Sequence, residues 1–259
     1  MTALTSDAEL LTIAVSAARR GVAAIRERLL PTLLPHHKQP TDVLTEADLA
    51  SDRAITSYLR GHRPHDALLS EEQAIRDPIG RGGYRWLIDP LDGSVNYANA
   101  IPHYCVSVAA QRHDDNAWHT VVAAVLDVVR REEFTAALGH GAHLNGRLIT
   151  PSTTNVMAAA LVATEYSYDR AHRAHQIQQL AFLLGQARDV RSTGSSALDL
   201  CWTACGRLDA FVEDDLELWD WAAAALVVTE AGGHATPVGS GVAASGNALH
   251  PALLECLSR

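Results

Sequence analysis

The sequence predicts a mixed α/β fold, and three observations support that prediction. Two helical patterns open the chain, apolar strand-like runs fill its middle, and helices alternate with strands after about residue 151. Such alternation is typical of sheets that are covered by helices. The 259 residues suffice for one large domain or two tightly packed lobes. We therefore expect one compact unit of two halves, an N-terminal α+β half over residues 1–150 and a C-terminal α/β half over 151–259.

Two capping boxes predict the helices at the start of the chain. The box at residues 6–9 opens a long helix, which the prolines at positions 31 and 35 should end. The box at residues 45–48 opens a second helix, which should run to about Leu59. Residues 36–42 between these helices are expected to form a polar loop.

Strands and further helices follow from the hydrophobic pattern. In the first half, apolar runs predict strands at residues 86–89, 104–111, 120–129, 133–138 and 147–149, with a turn at Asn145-Gly146. In the second half, strands are expected at residues 160–164, 188–191 and 208–212, and helices at 169–187, 196–205 and 219–231.

Composition excludes several classes of function. The net charge of −9 argues against general binding to nucleic acid or to an acidic membrane surface. The four cysteines form no C-x-x-C pair, which fits a reduced, cytoplasmic protein rather than a disulfide framework. No signal peptide and no membrane-spanning run is visible in the sequence.

The segment from Trp86 to Tyr97 is the most informative part of the chain. A strand-like run ends at Asp89, Asp92 follows three residues later, and Gly93 allows a tight turn. Two carboxylates held so close repel each other unless a cation lies between them. Oxygen ligands without nearby Cys or His suit Mg²⁺, Mn²⁺ or Ca²⁺. The pattern favours a metal site for phosphate chemistry, and the alternative is an ordinary strand-turn.

Three further acidic positions have structural alternatives. Glu71 follows an apolar run and could be a solvated acid, Asp220 could be a helix N-cap, and Asp48 could only complete its capping box. Their joint arrangement is more informative, because each stands at the end of a regular element, where side chains can converge.

Six segments resemble the inositol monophosphatase family. They cover residues 43–48, 69–72, 89–97, 141–146, 191–196 and 219–233. The resemblance implies a layered αβαβα sandwich of the inositol monophosphatase and fructose-bisphosphatase type, with a metal site between the two halves. It also implies Mg²⁺ dependence with two or three ions, Mn²⁺ as a possible substitute, lithium sensitivity and a homodimer.

The resemblance assigns the site residues. One metal ion would be held by Glu71, Asp89 and the Leu91 carbonyl, and a second by Asp89, Asp92 and Asp220. Glu71 would also help hold a weaker third ion through waters.

The remaining site residues would act on the water and the substrate. Asp48 and Ser94 would orient the attacking water. The phosphate would be bound by the backbone N–H groups of Gly93, Ser94 and Val95. The alcohol side of the pocket would be lined by Gly194, Ser195, Ser196 and Glu213.

Two departures from the family pattern are visible, and the substrate is open. Ser70 replaces a frequent glycine, and Ser94 replaces the usual threonine while keeping the hydroxyl. The expected substrate is inositol 1-phosphate or a related cyclitol or sugar phosphate. Histidinol phosphate, fructose 1,6-bisphosphate and nucleotides are alternatives, and the acidic stretch at 213–217 could attract an amine-bearing monoester. A non-catalytic regulatory or binding scaffold is the alternative of another class.

Overall fold

The computed structural model describes residues 6–28, 36–39, 42–73 and 83–258. The helices of these residues are α1 (Asp7–Arg26), α2 (Glu46–His62), α3 (Ser94–Ala98), α4 (Arg170–Gln186), α5 (Ser196–Ala204), α6 (Leu218–Glu230) and α7 (His250–Leu257). The strands are β1 (His36–Gln39), β2 (Asp42–Leu44), β3 (Ala67–Ser70), β4 (Tyr84–Asp92), β5 (Cys105–Asp114), β6 (Ala117–Asp127), β7 (Glu133–Ala137), β8 (Ala142–Leu144), β9 (Arg147–Leu148), β10 (Leu161–Ala163), β11 (Asp189–Arg191), β12 (Ala210–Glu213), β13 (His234–Val238) and β14 (Gly241–Ser245).

The N-terminal half is built on a seven-stranded sheet with the order β3-β4-β5-β6-β7-β8-β9. β3 and β4 are parallel, and the other neighbours are antiparallel. Successive side chains of a strand point to opposite faces, so Trp86 and Ile88 pack with α1 and α2 while Leu87 packs against the other half. Both faces are buried, which explains why these strands are continuous apolar runs.

The C-terminal half carries a five-stranded sheet with the order β11-β10-β12-β14-β13. β10 is parallel to both of its neighbours, whereas β14 is antiparallel to β12 and β13. Helix α6 contacts strands of both sheets, and α4 and α7 contact each other on the outer side of the second sheet. The layers are therefore helix, sheet, helix, sheet, helix, and the predicted αβαβα sandwich is confirmed.

The sequence predictions differ from the structure in three places. Residues 36–42 were expected to be a loop, but β1 pairs with β2 there, because backbone pairing in a short hairpin needs no apolar pattern. Strand β4 continues past Pro90 to Asp92, and a shift in its register with β5 accommodates the proline, which has no N–H to donate. β3, β8, β13, β14 and α7 were not predicted as strands or helices.

Helix α1 ends before the first of the two prolines that were expected to end it. α1 ends at Arg26, and the prolines at positions 31 and 35 lie outside the described residues. Across the described ranges, none of the helices combines the length and the apolar character needed to cross a bilayer.

Candidate active site

The residues of the candidate site come from both parts of the chain. β3 and β4 are parallel, so both strands end at the same edge of the first sheet. Helix α6 contacts β4, and its Asp220 is within electrostatic range of Asp89. Glu71 directly follows β3, Asp89 and Asp92 lie at the end of β4, and Asp220 is in the first turn of α6.

Four carboxylates share this edge and repel one another. Asp89 is 2% exposed, and burial is the first cause that raises its pKa well above the ordinary value. The negative charges of Glu71, Asp92 and Asp220 raise this pKa further. The N–H of Leu91 donates to Asp89 Oδ1 at 3.0 Å and acts in the opposite direction. The pKa of Asp220 is raised well above its usual range in the same way, first by burial and then by Glu71 and Asp92.

The four carboxylates do not all face one point. Asp92 Oδ2 accepts hydrogen bonds from Ser195 Oγ at 2.6 Å and from the N–H of Ala197 at 2.9 Å. Asp220 Oδ2 accepts from the N–H of Glu217 at 2.8 Å. Accordingly, among the residues that the structure describes, no group of three or more carboxylate, His or Cys side chains stands in a direct metal-binding arrangement. The predicted ligand set is brought into electrostatic range, and Asp89, Asp92 and Asp220 each accept hydrogen bonds from protein donors.

The chemistry of these donors fits a divalent hard cation. The four side chains offer only oxygen atoms, which Mg²⁺ and Mn²⁺ prefer over nitrogen and sulfur. Burying several mutually repelling carboxylates is costly unless a cation compensates them. The raised pKa of Asp89 reflects this cost.

Asp48 and Ser94 are in direct contact, as the resemblance implies. Ser94 Oγ donates to Asp48 Oδ1 and also lies 2.9 Å from the Leu91 carbonyl oxygen. Asp48 Oδ2 accepts from the N–H of Thr45 at 2.8 Å, which completes the capping box of α2. Burial raises the pKa of Asp48, and its hydrogen bonds partly offset that effect. The same carboxylate thus serves the helix cap and faces the site.

The Gly93 turn lies beside this pair. Gly93 has a φ of +98°, and a Cβ atom there would come within 3.0 Å of the carbonyl oxygens of Gly194 and His103. α3 begins at Ser94, and the N–H of Tyr97 donates to Gly93 O at 2.9 Å. The N–H groups of Ser94 and of the following Val95 therefore precede the first hydrogen bond within the helix.

The expected alcohol side of the pocket contains a second buried acid. Glu213 is 5% exposed and accepts a hydrogen bond from Ser196 Oγ at 3.1 Å. Burial, and after it the negative charge of Glu165, raise the pKa of Glu213 well above its usual range. Gly194 and Ser195 lie beside these residues, but the Ser195 hydroxyl donates to Asp92, a contact that the sequence did not indicate.

Sequence reasoning missed two carboxylates near the site. Asp52 accepts from Ser70 Oγ at 2.6 Å and from the side chain of Gln73, so the serine that replaces the family glycine ties the Glu71 turn to α2. Glu165 accepts three hydrogen bonds from residues 192–194. A signal was available for Glu165, because it directly follows the strand predicted at residues 160–164, just as Glu71 follows an apolar run.

The fold and the site together define a class of protein, an αβαβα sandwich with buried carboxylates and a glycine turn between its two halves. Comparison with known families identifies that class, since the model of the inositol monophosphatase family matches residues 6–255. The chain belongs to this family.

Similar sequences and a similar solved structure also support membership of this family. The chain is 39% identical over 234 residues to Nus factor SuhB of Pseudomonas aeruginosa, covering 86% of this chain and 83% of that protein. It is 36% identical over 261 residues to inositol-1-monophosphatase SuhB of Mycobacterium tuberculosis, covering 95% and 85%. The crystal structure of the extragenic suppressor protein SuhB from Bartonella henselae superposes with a TM-score of 0.87 at 28% identity, covering 96% and 98%. Family membership supports a phosphatase, and the relatives also include proteins named as Nus factors.

Proposed function

We propose that this protein is a Mg²⁺-dependent phosphate monoester hydrolase whose substrate is inositol 1-phosphate or a related cyclitol or sugar phosphate. The observation that supports this proposal best is the gathering of four carboxylates beside the Gly93 turn. The name of the relative from Mycobacterium tuberculosis, inositol-1-monophosphatase, agrees with it.

The carboxylates would hold the metal ions. Glu71, Asp89 and the Leu91 carbonyl would hold one ion, and Asp89, Asp92 and Asp220 a second. Bound Mg²⁺ lowers the pKa of a water molecule and stabilises negative charge on phosphoryl and leaving oxygens. Mn²⁺ has similar ligand preferences and is a possible substitute.

The other residues would act on the water and the substrate. The Asp48 carboxylate, with its raised pKa, and the Ser94 hydroxyl hydrogen-bonded to it would orient the attacking water and receive its proton. The N–H groups of Gly93, Ser94 and Val95 would bind the phosphate oxygens. On the alcohol side, Glu213 with Ser196 would accept and donate hydrogen bonds to substrate hydroxyls.

A phosphate-release screen tests the activity and the substrate. The panel contains inositol, sugar, histidinol and nucleotide phosphates together with fructose 1,6-bisphosphate, each with Mg²⁺ and with EDTA. We expect Mg²⁺-dependent release, highest on a cyclitol or sugar monoester. Preferential turnover of histidinol phosphate would instead favour an amine-bearing substrate. No release from any member would contradict the proposal.

The variant Asp89→Asn tests the metal assignment. We expect it to lose nearly all activity at saturating Mg²⁺, because Asp89 would be shared by both ions. Asp169→Asn is the matched control, since Asp169 is exposed and its asparagine keeps an oxygen that caps α4. Turnover of Asp89→Asn close to that of the control would refute the assignment.

A second role is favoured by the names of relatives. The Pseudomonas aeruginosa and Xylella fastidiosa proteins, 39% and 37% identical to this chain, are both called Nus factor SuhB. A Nus-factor role would belong to the scaffold alternative and would not need catalysis. Expression of Asp89→Asn in a strain that lacks its own Nus factor SuhB tests it, since rescue by this variant would separate the role from phosphatase activity. Failure of both the variant and the unmutated chain to rescue would argue against this role.

The predicted homodimer is also part of the proposal. Light scattering at several protein concentrations measures the mass directly, and a mass equal to one chain of 27.8 kDa at all of them would contradict it.

A further inference from the structure

We propose that Glu165 is a positioning residue that fixes the turn at residues 192–194 against the Gly93 turn, and thereby shapes the phosphate site from the other half of the molecule. The inference rests on the proposed function for its kinetic consequence. Its structural consequence can be measured without any activity.

Glu165 binds three consecutive residues of this turn. Its Oε1 accepts from the N–H groups of Thr193 and Gly194, each at 2.6 Å, and its Oε2 accepts from Ser192 Oγ at 2.7 Å. Both carboxylate oxygens are thus occupied by the turn, which makes Glu165 an organiser of the backbone rather than a free ligand. Hydrogen bonds to a charged acceptor are stronger than neutral ones.

Glu165 itself stands on a rigid support. It lies two residues after β10, which pairs in parallel with β11 on one side and β12 on the other. The N–H of Thr164 also donates to the carbonyl of Arg191 at 2.9 Å. The position of the carboxylate is therefore set by the second sheet.

The far side of the same turn is bound to the first half. Asn96 Nδ2 donates to the carbonyl oxygens of Thr193 at 2.7 Å and His103 at 2.8 Å. A Cβ atom on Gly93 would come within 3.0 Å of the carbonyl oxygen of Gly194. The turn is thus held between Glu165 in one half and the α3 region in the other.

The turn also continues directly into a predicted metal-site contact. Gly194 has a φ of +86°, a conformation that glycine adopts readily and other residues rarely adopt, and glycine by itself restricts the backbone little. The next residue, Ser195, donates to Asp92 at 2.6 Å. A displacement of the turn would therefore reach both the Gly93 turn and Asp92.

The Glu165 carboxylate lies in electrostatically unfavourable surroundings. Burial, and among its neighbours the negative charge of Asp199, raise the pKa of Glu165 to about 7. Glu213 adds a further negative neighbour. A buried carboxylate among negative charges destabilises the folded state unless hydrogen bonds compensate it, and three donors of one turn supply that compensation here.

The test compares Glu165→Ala and Glu165→Gln with the control Glu255→Gln, which alters an exposed acid of α7 in the same half. The glutamine keeps one oxygen for the N–H groups of Thr193 and Gly194, and its amide can donate to the Ser192 hydroxyl. Hydrogen exchange is followed in peptides that cover 192–197 and 93–99. Steady-state kinetics and binding of inorganic phosphate in Mg²⁺ are measured on the same variants.

We expect Glu165→Ala to exchange faster in both peptides by about tenfold and to raise KM and weaken phosphate binding by about tenfold. Glu165→Gln should recover most of both effects, and the control should match the unmutated protein. Faster exchange confined to 192–197, with 93–99 and phosphate affinity unchanged, would overturn the proposal. A protein that shows the exchange pattern but no phosphatase activity would refute the proposed function and leave the positioning role intact. If Glu165→Ala does not fold, Ser192→Ala removes one of the three bonds and is judged by the same two peptides.

Discussion

At the scale of single residues, two acidic side chains each make a helix-capping contact and also interact with other residues of the candidate site. Asp48 completes the capping box of α2 and accepts the Ser94 hydroxyl. Asp220 accepts the N–H of Glu217 at the start of α6 and interacts with Glu71 and Asp92. The structural and functional interpretations of these acids are therefore compatible, because a helix start lies at the edge where the site is formed.

The hydroxyl at position 94 should matter more than the methyl group that threonine would add. We expect Ser94→Ala to lower kcat about 100-fold or more, because the donor to Asp48 is lost. Ser94→Thr keeps the hydroxyl and should stay within a few-fold of the unmutated protein. Steady-state kinetics at saturating Mg²⁺ measure both variants. Equal kcat for the alanine and threonine variants would contradict the assigned role.

Glu165 should make the protein less stable as the pH rises through the neutral range. Its pKa is about 7 in the folded protein against an ordinary value of 4.5, so between these values the folded state binds more protons than the unfolded state. This contribution is fully present below about pH 4.5, is lost as the pH approaches 7, and amounts to at most about 3 kcal/mol.

Urea unfolding at pH 5 and pH 8 measures the effect. Asp199 and Glu213 are the acidic neighbours of Glu165, and both remain in Glu165→Gln. The free energy of unfolding should therefore fall less between the two pH values in this variant than in the unmutated protein. An identical fall in both proteins would contradict the assignment.

At the scale of elements, strand ends and turns bring the site together. β4 runs past Pro90 with a shift in register, which carries Asp92 to the same edge as Asp89. The turn at 192–194 links β11 to α5 and contacts the α3 region through Asn96. These short segments, more than the long helices, decide where the functional groups lie.

A methyl group at Gly194 should destabilise this turn. We expect Gly194→Ala to lower the free energy of unfolding by about 1–3 kcal/mol, because φ is +86° and the new Cβ would come within 2.6 Å of Asn96 Nδ2. Gly185→Ala is the control, since Gly185 lies in α4 with open space around it and should gain up to about 1 kcal/mol. Urea unfolding measures both, and equal stabilities would count against the strain argument.

At the scale of the whole molecule, the candidate site combines residues from two parts of the chain, each built on its own sheet. Asp92 of β4 accepts from the N–H of Ala197 in α5, across 105 positions of the chain. The acids of this junction repel one another, so folding without a cation works against their charges.

Asp89→Asn should therefore stabilise the metal-free protein. In EDTA we expect its Tm to exceed that of the unmutated protein by a few degrees, about 2–4 °C for each kcal/mol of repulsion removed. The N–H of Leu91 can still donate to the asparagine oxygen. Mg²⁺ at a hundred times its Kd should stabilise the unmutated protein by about 2.7 kcal/mol and so raise its Tm. The Tm of the variant should rise far less. Calorimetry with and without Mg²⁺ measures both, and a lower Tm of the variant in EDTA would contradict the prediction.

The sequence alone determined most of the elements and the chemistry of the site. Capping boxes located α1 and α2, hydrophobic runs located β4 to β7, and the αβαβα class followed from resemblance and is confirmed. The choice of oxygen ligands followed from residue types, and their metal-binding role stays a prediction. The elements and the ligand chemistry depend on local pattern or residue type, so the sequence alone is sufficient to predict them.

Only the tertiary structure decided which groups touch across the junction. The bonds of Ser195 to Asp92 and of Glu165 to Gly194 join segments that are far apart along the chain, so no local pattern encodes them. The β1–β2 pairing was missed because these short segments show no apolar alternation, and β14 was missed because the buried residues of this short strand are mostly small. Short-range preferences select elements, whereas the packing of layers selects contacts, and for this reason the positioning of the site could be learned only from the fold.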